Sequence, residues 1–340
     1  MRFRLTDDQR ALRRGVREVL AKRFGRDALR AAVDAGTLDR GLWRELGRAG
    51  FFALRLPEAD GGAGLGLPEA VLAFEEAGRV LLPGPLVATH LAAGRIPGAE
   101  RGEAVVTAVA GELVEWLDAA DVVEGDATGA EPVRSVDPLT PLHRLPAGRA
   151  GTTGTADATG RAHATGTAHA TDGTGWAEGT GAAGWTDATD GTGWADAAAV
   201  TAVLLTAAEQ LGSAGRTTEL AARYACDREQ FGQPIGAFQA VKHLCADMLV
   251  RVEVARAAVY AAAVTADPVD VAAAKLLADE AAVRGARDCL QVYGGMGFTW
   301  EADVHLHLKR AWVRAERGMT ARTAEEVCAA ALRPDAAHSE

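Results

Sequence analysis

Apolar positions recur every three or four residues at both ends of the chain and alternate only in the stretch between them. That spacing predicts helices flanking a short β region. Near the N-terminus, Thr6 and Gln9 form a capping-box pattern that opens a helix carrying Leu12, Val16 and Leu20 on one face. A second helix is expected over about residues 38–50, and the glycine-rich stretch 61–66 is a turn before another helix starting at about Pro68. Pro83 and Pro85 close that helix. From about Ala104 the segments AVVTAVAG, AADVVEG and VRSVDPLTPLHRL read as short strands. Beyond Ala197 the helical period returns, with Val241, Leu244, Met248, Val252, Ala255 and Val259 stepping along one helix. Ala273, Leu276, Val283, Ala286 and Leu290 step along the next. Four helices are predicted, at about 197–226, 236–265, 268–293 and 302–331, with connections short enough for antiparallel neighbours and a four-helix bundle.

The fold class is therefore mainly α: an N-terminal helical domain (1–100), a reduced middle β region (101–146), a low-complexity segment (147–199), the C-terminal bundle (200–332) and a tail (333–340). The low-complexity segment is built almost wholly of Gly, Thr, Ala, Asp, His and Trp, and the hexamer DGTGWA occurs twice in it. It has too few aliphatic side chains to offset the entropy of ordering, so disorder is expected there. Trp176, Trp185, Trp194, His163 and His169 are products of this repetition.

A net charge of −10 and a pI near 5.4 leave no electrostatic footprint for nucleic acid or an anionic membrane. No apolar run of signal-peptide or membrane-spanning length is evident, and a cytoplasmic protein is expected. Cys226, Cys245, Cys289 and Cys328 lie far apart inside helical patterns, which suits reduced thiols rather than a disulfide framework or a zinc site. His305 and His307 with Asp303 make no metal site, because residues two apart on a helix point in different directions.

Candidate chemistry clusters at two helix ends. Arg228 precedes a loop opened by Gly232, Pro234 and Gly236, where a guanidinium can grip a phosphate bidentately. By position alone it reads first as a cation favoured by the helix dipole. Gln239 begins the next helix, where an amide and free backbone N–H groups can face a ligand. Gln291 and the pair Gly294-Gly295 close the third helix; paired glycines permit close backbone approach, although a C-cap is the simpler reading.

Taken together, RxxFGxPIxxFQ (Arg228 to Gln239) followed by QxxGGxGF (Gln291 to Phe298), on an α, then β, then α chain, resembles the acyl-CoA dehydrogenase family. The N-terminal stretch LWRELGRAGFFALRLPEADGGAGLGL shares the likeness more loosely. The resemblance implies FAD held between subunits of a homo- or hetero-oligomer and an acyl-CoA substrate. Arg228 would meet the flavin pyrophosphate, Phe231 and Gln239 would line the cofactor site, and Gln291, Gly294 and Gly295 would cradle the adenosine-side phosphate. The implied reaction is α,β-desaturation of a CoA thioester, which needs a carboxylate base at the α carbon.

Here the chain departs from the pattern. The position of the family's usual glutamate falls on Gly318, and the alternative position on the first bundle helix falls on Ala202. Glu316, two residues from the first, is the remaining candidate base, with a solvated helix charge as its plainer reading. The threonine and tryptophan that meet the flavin ring in the family cannot be assigned in the short middle region. Three readings follow: an FAD-dependent acyl-CoA dehydrogenase, a non-catalytic subunit completing FAD sites with a catalytic homologue, or a decayed helical scaffold without flavin.

Overall fold

The computed structural model describes residues 4–146, 155–157 and 197–333. Helix α1 (Asp7–Arg23) opens with the expected capping box: Thr6 Oγ1 accepts from the Gln9 N–H at 3.1 Å and Gln9 Oε1 accepts from the Thr6 N–H at 3.0 Å. A Thr6→Ala variant is expected to lose about 1 kcal/mol, read as a shift in the urea midpoint. Helix α2 (Arg26–Ala35) escaped the sequence reading, because Gly25 at its N-cap gives no side-chain signal and Leu29 is its one fully buried residue. Helix α3 (Arg40–Arg48) lies within the expected 38–50 and is capped by Asp39. The turn at 61–66 needs its glycines, since Gly61 and Gly64 have φ of +79° and +62°. Helix α4 (Leu67–Arg79) follows, and α5 (Leu86–Ala92) restarts after the two prolines.

The middle region forms six short strands: β1 (Val106–Ala110), β2 (Leu113–Glu115), β3 (Val122–Glu124), β4 (Glu131–Val133), β5 (Leu142–Arg144) and β6 (Thr155–Asp157). Their order in the sheet is β4-β5-β2-β1-β3-β6, with β1 and β3 parallel and the other pairs antiparallel. Strand β6 comes from the low-complexity stretch, which otherwise lies outside the described residues up to Ala197; so do its three tryptophans and two histidines.

Helix α6 (Ala197–Asp227) is the axis of the molecule, and its first half is buried on every side. By length and composition it alone among the described residues could cross a membrane, but Glu209 and Gln210 interrupt its apolar run and 83% of its apolar window is buried inside the fold. It crosses α4 at two glycines. A Cβ at Gly212 would lie 1.9 Å from the Glu75 carbonyl oxygen, and one at Gly78 would lie 2.0 Å from that of Glu209, so the two backbones touch with no room for a side chain. Helix α7 (Gln239–Thr265) and α8 (Pro268–Tyr293) complete the long helices, with Asp267 capping α8 through the N–H groups of Val269 and Asp270.

The fourth bundle helix differs from expectation. It is broken into α9 (Val304–Ala315) and α10 (Ala321–Ala331). Gly318 sits in the break at φ +72°, a left-handed conformation that ends α9, and Thr320 then caps α10 by accepting from the Thr323 N–H.

Candidate cofactor site and the base positions

The residues of the two motifs come together at one end of the bundle. The last turn of α6 carries Tyr224 and that of α8 carries Tyr293, whose rings stack at 4.0 Å between centroids. This stack fixes the two helix ends side by side. Immediately beyond it, the Arg228 N–H donates to the Tyr224 carbonyl at 2.8 Å, and a hairpin of β7 (Glu229–Gln230) and β8 (Gln233–Pro234) projects from the end. Phe231 and Gly232 turn the hairpin at φ +54° and +79°, the two-residue primed geometry. That strained tip holds the Phe231 ring 91% exposed, braced edge-on by Phe238.

Gln239 is the first residue of α7 and is exposed, its Nε2 3.5 Å from His243 Nε2. Gln291 is exposed on the last turn of α8, and the Gly294 N–H donates back to its carbonyl. Gly294 adopts φ +57°, ψ −140°, open to glycine alone, and Cβ atoms built on Gly294 or Gly295 would touch nothing. The backbone there is bare. Among the described residues Arg228 has neither an ion-pair partner nor a side-chain hydrogen bond, so its guanidinium is free for an anion. A free guanidinium, an exposed ring and a bare glycine backbone suit a dinucleotide's phosphates and fit FAD.

The two base positions converge elsewhere, and neither holds a proton acceptor. Gly318 lines a cavity of about 30 Å³ with Val87, Ala88, Thr206 and Arg317. Ala202 is fully buried one turn before Thr206, whose Oγ1 donates to the Ala202 carbonyl at 2.9 Å. Such a space holds one water, not an acyl chain. Glu316 is exposed and does not line this cavity; its charge is felt instead at Asp279 on α8. Glu316 therefore stands outside the small cavity that Gly318 lines.

The space is filled by ions. Arg314 Nη1 donates to Glu115 Oε2 at 2.6 Å, and its Nε lies 3.1 Å from Glu209 Oε2, within ion-pair range but out of line for a hydrogen bond. One turn earlier, Arg310 donates to Asp137 at 2.5 Å and to the Leu82 and Leu139 carbonyls. Arg317 donates to the Leu113 carbonyl at 3.2 Å. Burial pushes the Glu115 carboxyl up, but Arg314 and Arg317 outweigh it and hold that carboxyl below its ordinary range. At Glu209 burial wins over Arg314 and Arg310, and the carboxyl is held above its ordinary range. The sequence reading missed this cluster, although arginines at 310, 314 and 317 recur at the spacing of one helix face.

His305 and His307 point apart as their spacing requires. His305 meets the Trp300 ring edge-on, whereas His307 is buried with Nδ1 2.8 Å from Ser213 Oγ. Among the described residues no group of three or more His, Cys, Asp or Glu could hold a metal.

Comparison with known proteins agrees with this architecture. Residues 190–331 match the acyl-CoA dehydrogenase C-terminal domain and residues 6–98 the acyl-CoA dehydrogenase N-terminal domain. Acyl-CoA dehydrogenase IpdE2 of Mycobacterium tuberculosis is 36% identical over 329 residues, covering 90% of this chain and 91% of that one. Among solved structures, the ChsE4-ChsE5 complex from Mycobacterium tuberculosis shares the fold at TM-score 0.75, 23% identity and 100% coverage of both chains. The Tcur3481-Tcur3483 steroid acyl-CoA dehydrogenase does so at TM-score 0.77 and 23% identity, over 97% of this chain and 99% of that one. On its helical domains, its motif residues and this likeness along nearly its whole length, the chain belongs to the acyl-CoA dehydrogenase family.

Proposed function

We propose that this chain is a non-catalytic subunit of a hetero-oligomeric acyl-CoA dehydrogenase, presenting its motif residues to FAD whose flavin ring and catalytic carboxylate belong to a homologous partner. The observation that carries this reading is the contrast between the two sites. The face holding Arg228, Phe231, Gln239, Gln291, Gly294 and Gly295 is open to solvent, whereas both base positions are empty of carboxylate and the space around Gly318 is filled by the Arg314 cluster.

Each residue of the open face has work that needs no chemistry of its own. Arg228 balances pyrophosphate charge, Phe231 and Gln239 wall the site, and the backbone at Gly294 and Gly295 admits a phosphate closely. Bound FAD would supply the hydride acceptor, and the base would be the partner's. An oligomer also explains α7, whose apolar residues are not confined to its buried side. Leu249, Val250, Val254 and Val264 stay exposed on it, as do Met296, Phe298 and Trp300 beside the glycines. The two solved structures named above are each named for a pair of chains, and one is named a complex.

The test is co-expression with a homologous chain that carries a glutamate at either base position, followed by anaerobic titration with acyl-CoA thioesters. Flavin is expected in the complex and to bleach there, while the isolated chain neither retains flavin nor bleaches it. Bleaching by the isolated chain would overturn the proposal. In the complex, Arg228→Ala is expected to weaken FAD retention by about tenfold or more, from loss of a charge-assisted contact, measured as flavin per complex after dialysis.

A further inference from the structure

A second, larger cavity lies on the other side of the α4–α6 crossing. Its volume is about 580 Å³, and it is a half-open cleft lined by the end of α1, the start of α2, α4, the middle of α6, Tyr293 at the end of α8 and the start of α9. Clefts of this volume are common at small-molecule sites.

The lining has two characters. Leu20, Phe24, Leu29 and Leu220 give it an apolar wall. The polar part is a set of guanidiniums, most already satisfied. Arg17 makes a bidentate contact to Glu76 at 2.7 Å on each oxygen, Arg79 donates to Glu219 at 2.6 Å, and Arg26 donates to Asp303 at 2.8 Å. Arg216 is partly exposed at the mouth of the cleft, and its one charged neighbour, Glu219 at 3.6 Å, is beyond hydrogen-bond length, so its guanidinium is open to an incoming anion. Beside it is His307, 3% exposed, with Nδ1 engaged by Ser213 while its ring lines the cavity. Burial, with Arg216, Arg310 and Arg79 adding to it, pushes the His307 imidazole down to about 3, so it is neutral and adds no charge of its own.

We propose that this cavity binds a small amphipathic carboxylate, with the carboxylate on Arg216 and the apolar body against Leu20, Phe24, Leu29 and Leu220. One under-used guanidinium suits one negative charge, and the carboxylates of Glu76, Glu301 and Asp303 on the same lining exclude a multiply charged anion such as a phosphate ester. The site does not depend on flavin or on a partner subunit.

Calorimetric titration of the full chain with decanoate tests it, with decanol and decyltrimethylammonium as matched neutral and cationic probes. Saturable binding of one decanoate per chain is expected, with both other probes weaker by about tenfold or more. Ala21→Trp, at an exposed position on the cavity wall, is expected to abolish binding while leaving the thermal midpoint unchanged. Arg216→Ala is expected to lower decanoate affinity about tenfold and leave decanol unaffected. Absence of saturable binding, equal affinity for decanol, or decanoate binding that is unchanged by Arg216→Ala overturns the proposal.

Discussion

Exchanging Arg314 for methionine is expected to lower the unfolding free energy by about 3–5 kcal/mol, the usual cost of removing one partner from a buried ionic cluster. Glu115 and Glu209 are each more than nine-tenths buried, and Arg314 reaches both from the last turn of α9. Without it, Glu209 has no counter-charge within ion-pair distance, and Glu115 keeps only Arg317 at 3.8 Å. The variant therefore strands two carboxylates rather than breaking one contact. The discriminating control removes the whole cluster, with Arg314→Met, Glu115→Leu and Glu209→Leu combined. This triple variant is expected to regain most of the loss, because apolar replacements of similar volume carry no desolvation penalty. Urea midpoints for the single and triple variants decide the matter. A single variant within about 1 kcal/mol of the parent would mean that the cluster does not tie the sheet to the bundle. The same cluster argues against restoring a dehydrogenase by Gly318→Glu alone, since a new carboxylate there would meet arginines and no substrate space.

What the sequence made legible was what local rules encode. The capping box at Thr6 and the glycine turn before α4 depend on residues within four of one another, and each lies where its pattern placed it. The six residues proposed to face the cofactor stand out because they sit in two contiguous motifs at the helix ends, and the Tyr224–Tyr293 stack that joins the motifs is itself one turn from Arg228 and one residue from Gly294. The break in the fourth bundle helix was signalled by Gly318, but heptad-like apolar spacing on both sides hid it; the φ of +72° decides it. Helix α2 has no side-chain cap and only one large aliphatic residue fully buried, and packing rather than propensity supports it. The buried cluster joins residues 115, 137, 209, 310 and 314, and the large cavity needs six separate elements. Long-range assemblies of that kind leave only one trace in the sequence, the spacing of arginines on α9.

Acid is expected to destabilise the parent chain more steeply than a His307→Leu variant, and the sign follows from the depressed imidazole. His307 titrates at about 3 in the fold and near 6.5 when unfolded, so between those values the unfolded chain holds a proton that the folded chain lacks. Stability from this group is full above about pH 6.5 and is lost as pH falls towards 3, at about 1.4 kcal/mol per pH unit. The groups facing it are Arg216, Arg310 and Arg79, together with Ser213. Other groups bend the total curve: His90, pushed down to about 4 by burial, adds to the acid loss, whereas Glu209 and Asp279, held up by burial, oppose it. The difference between parent and variant removes these contributions, and the cost of leaving Ser213 Oγ without His307 is a constant offset across pH. Urea unfolding at pH 7, 6, 5 and 4 is expected to show the two stabilities converging as pH falls. Curves that stay parallel would mean that His307 is already protonated in the fold. A carboxylate bound beside Arg216 would place a negative charge next to the imidazole and raise its folded-state titration, so saturating decanoate is expected to shrink the convergence between the two chains.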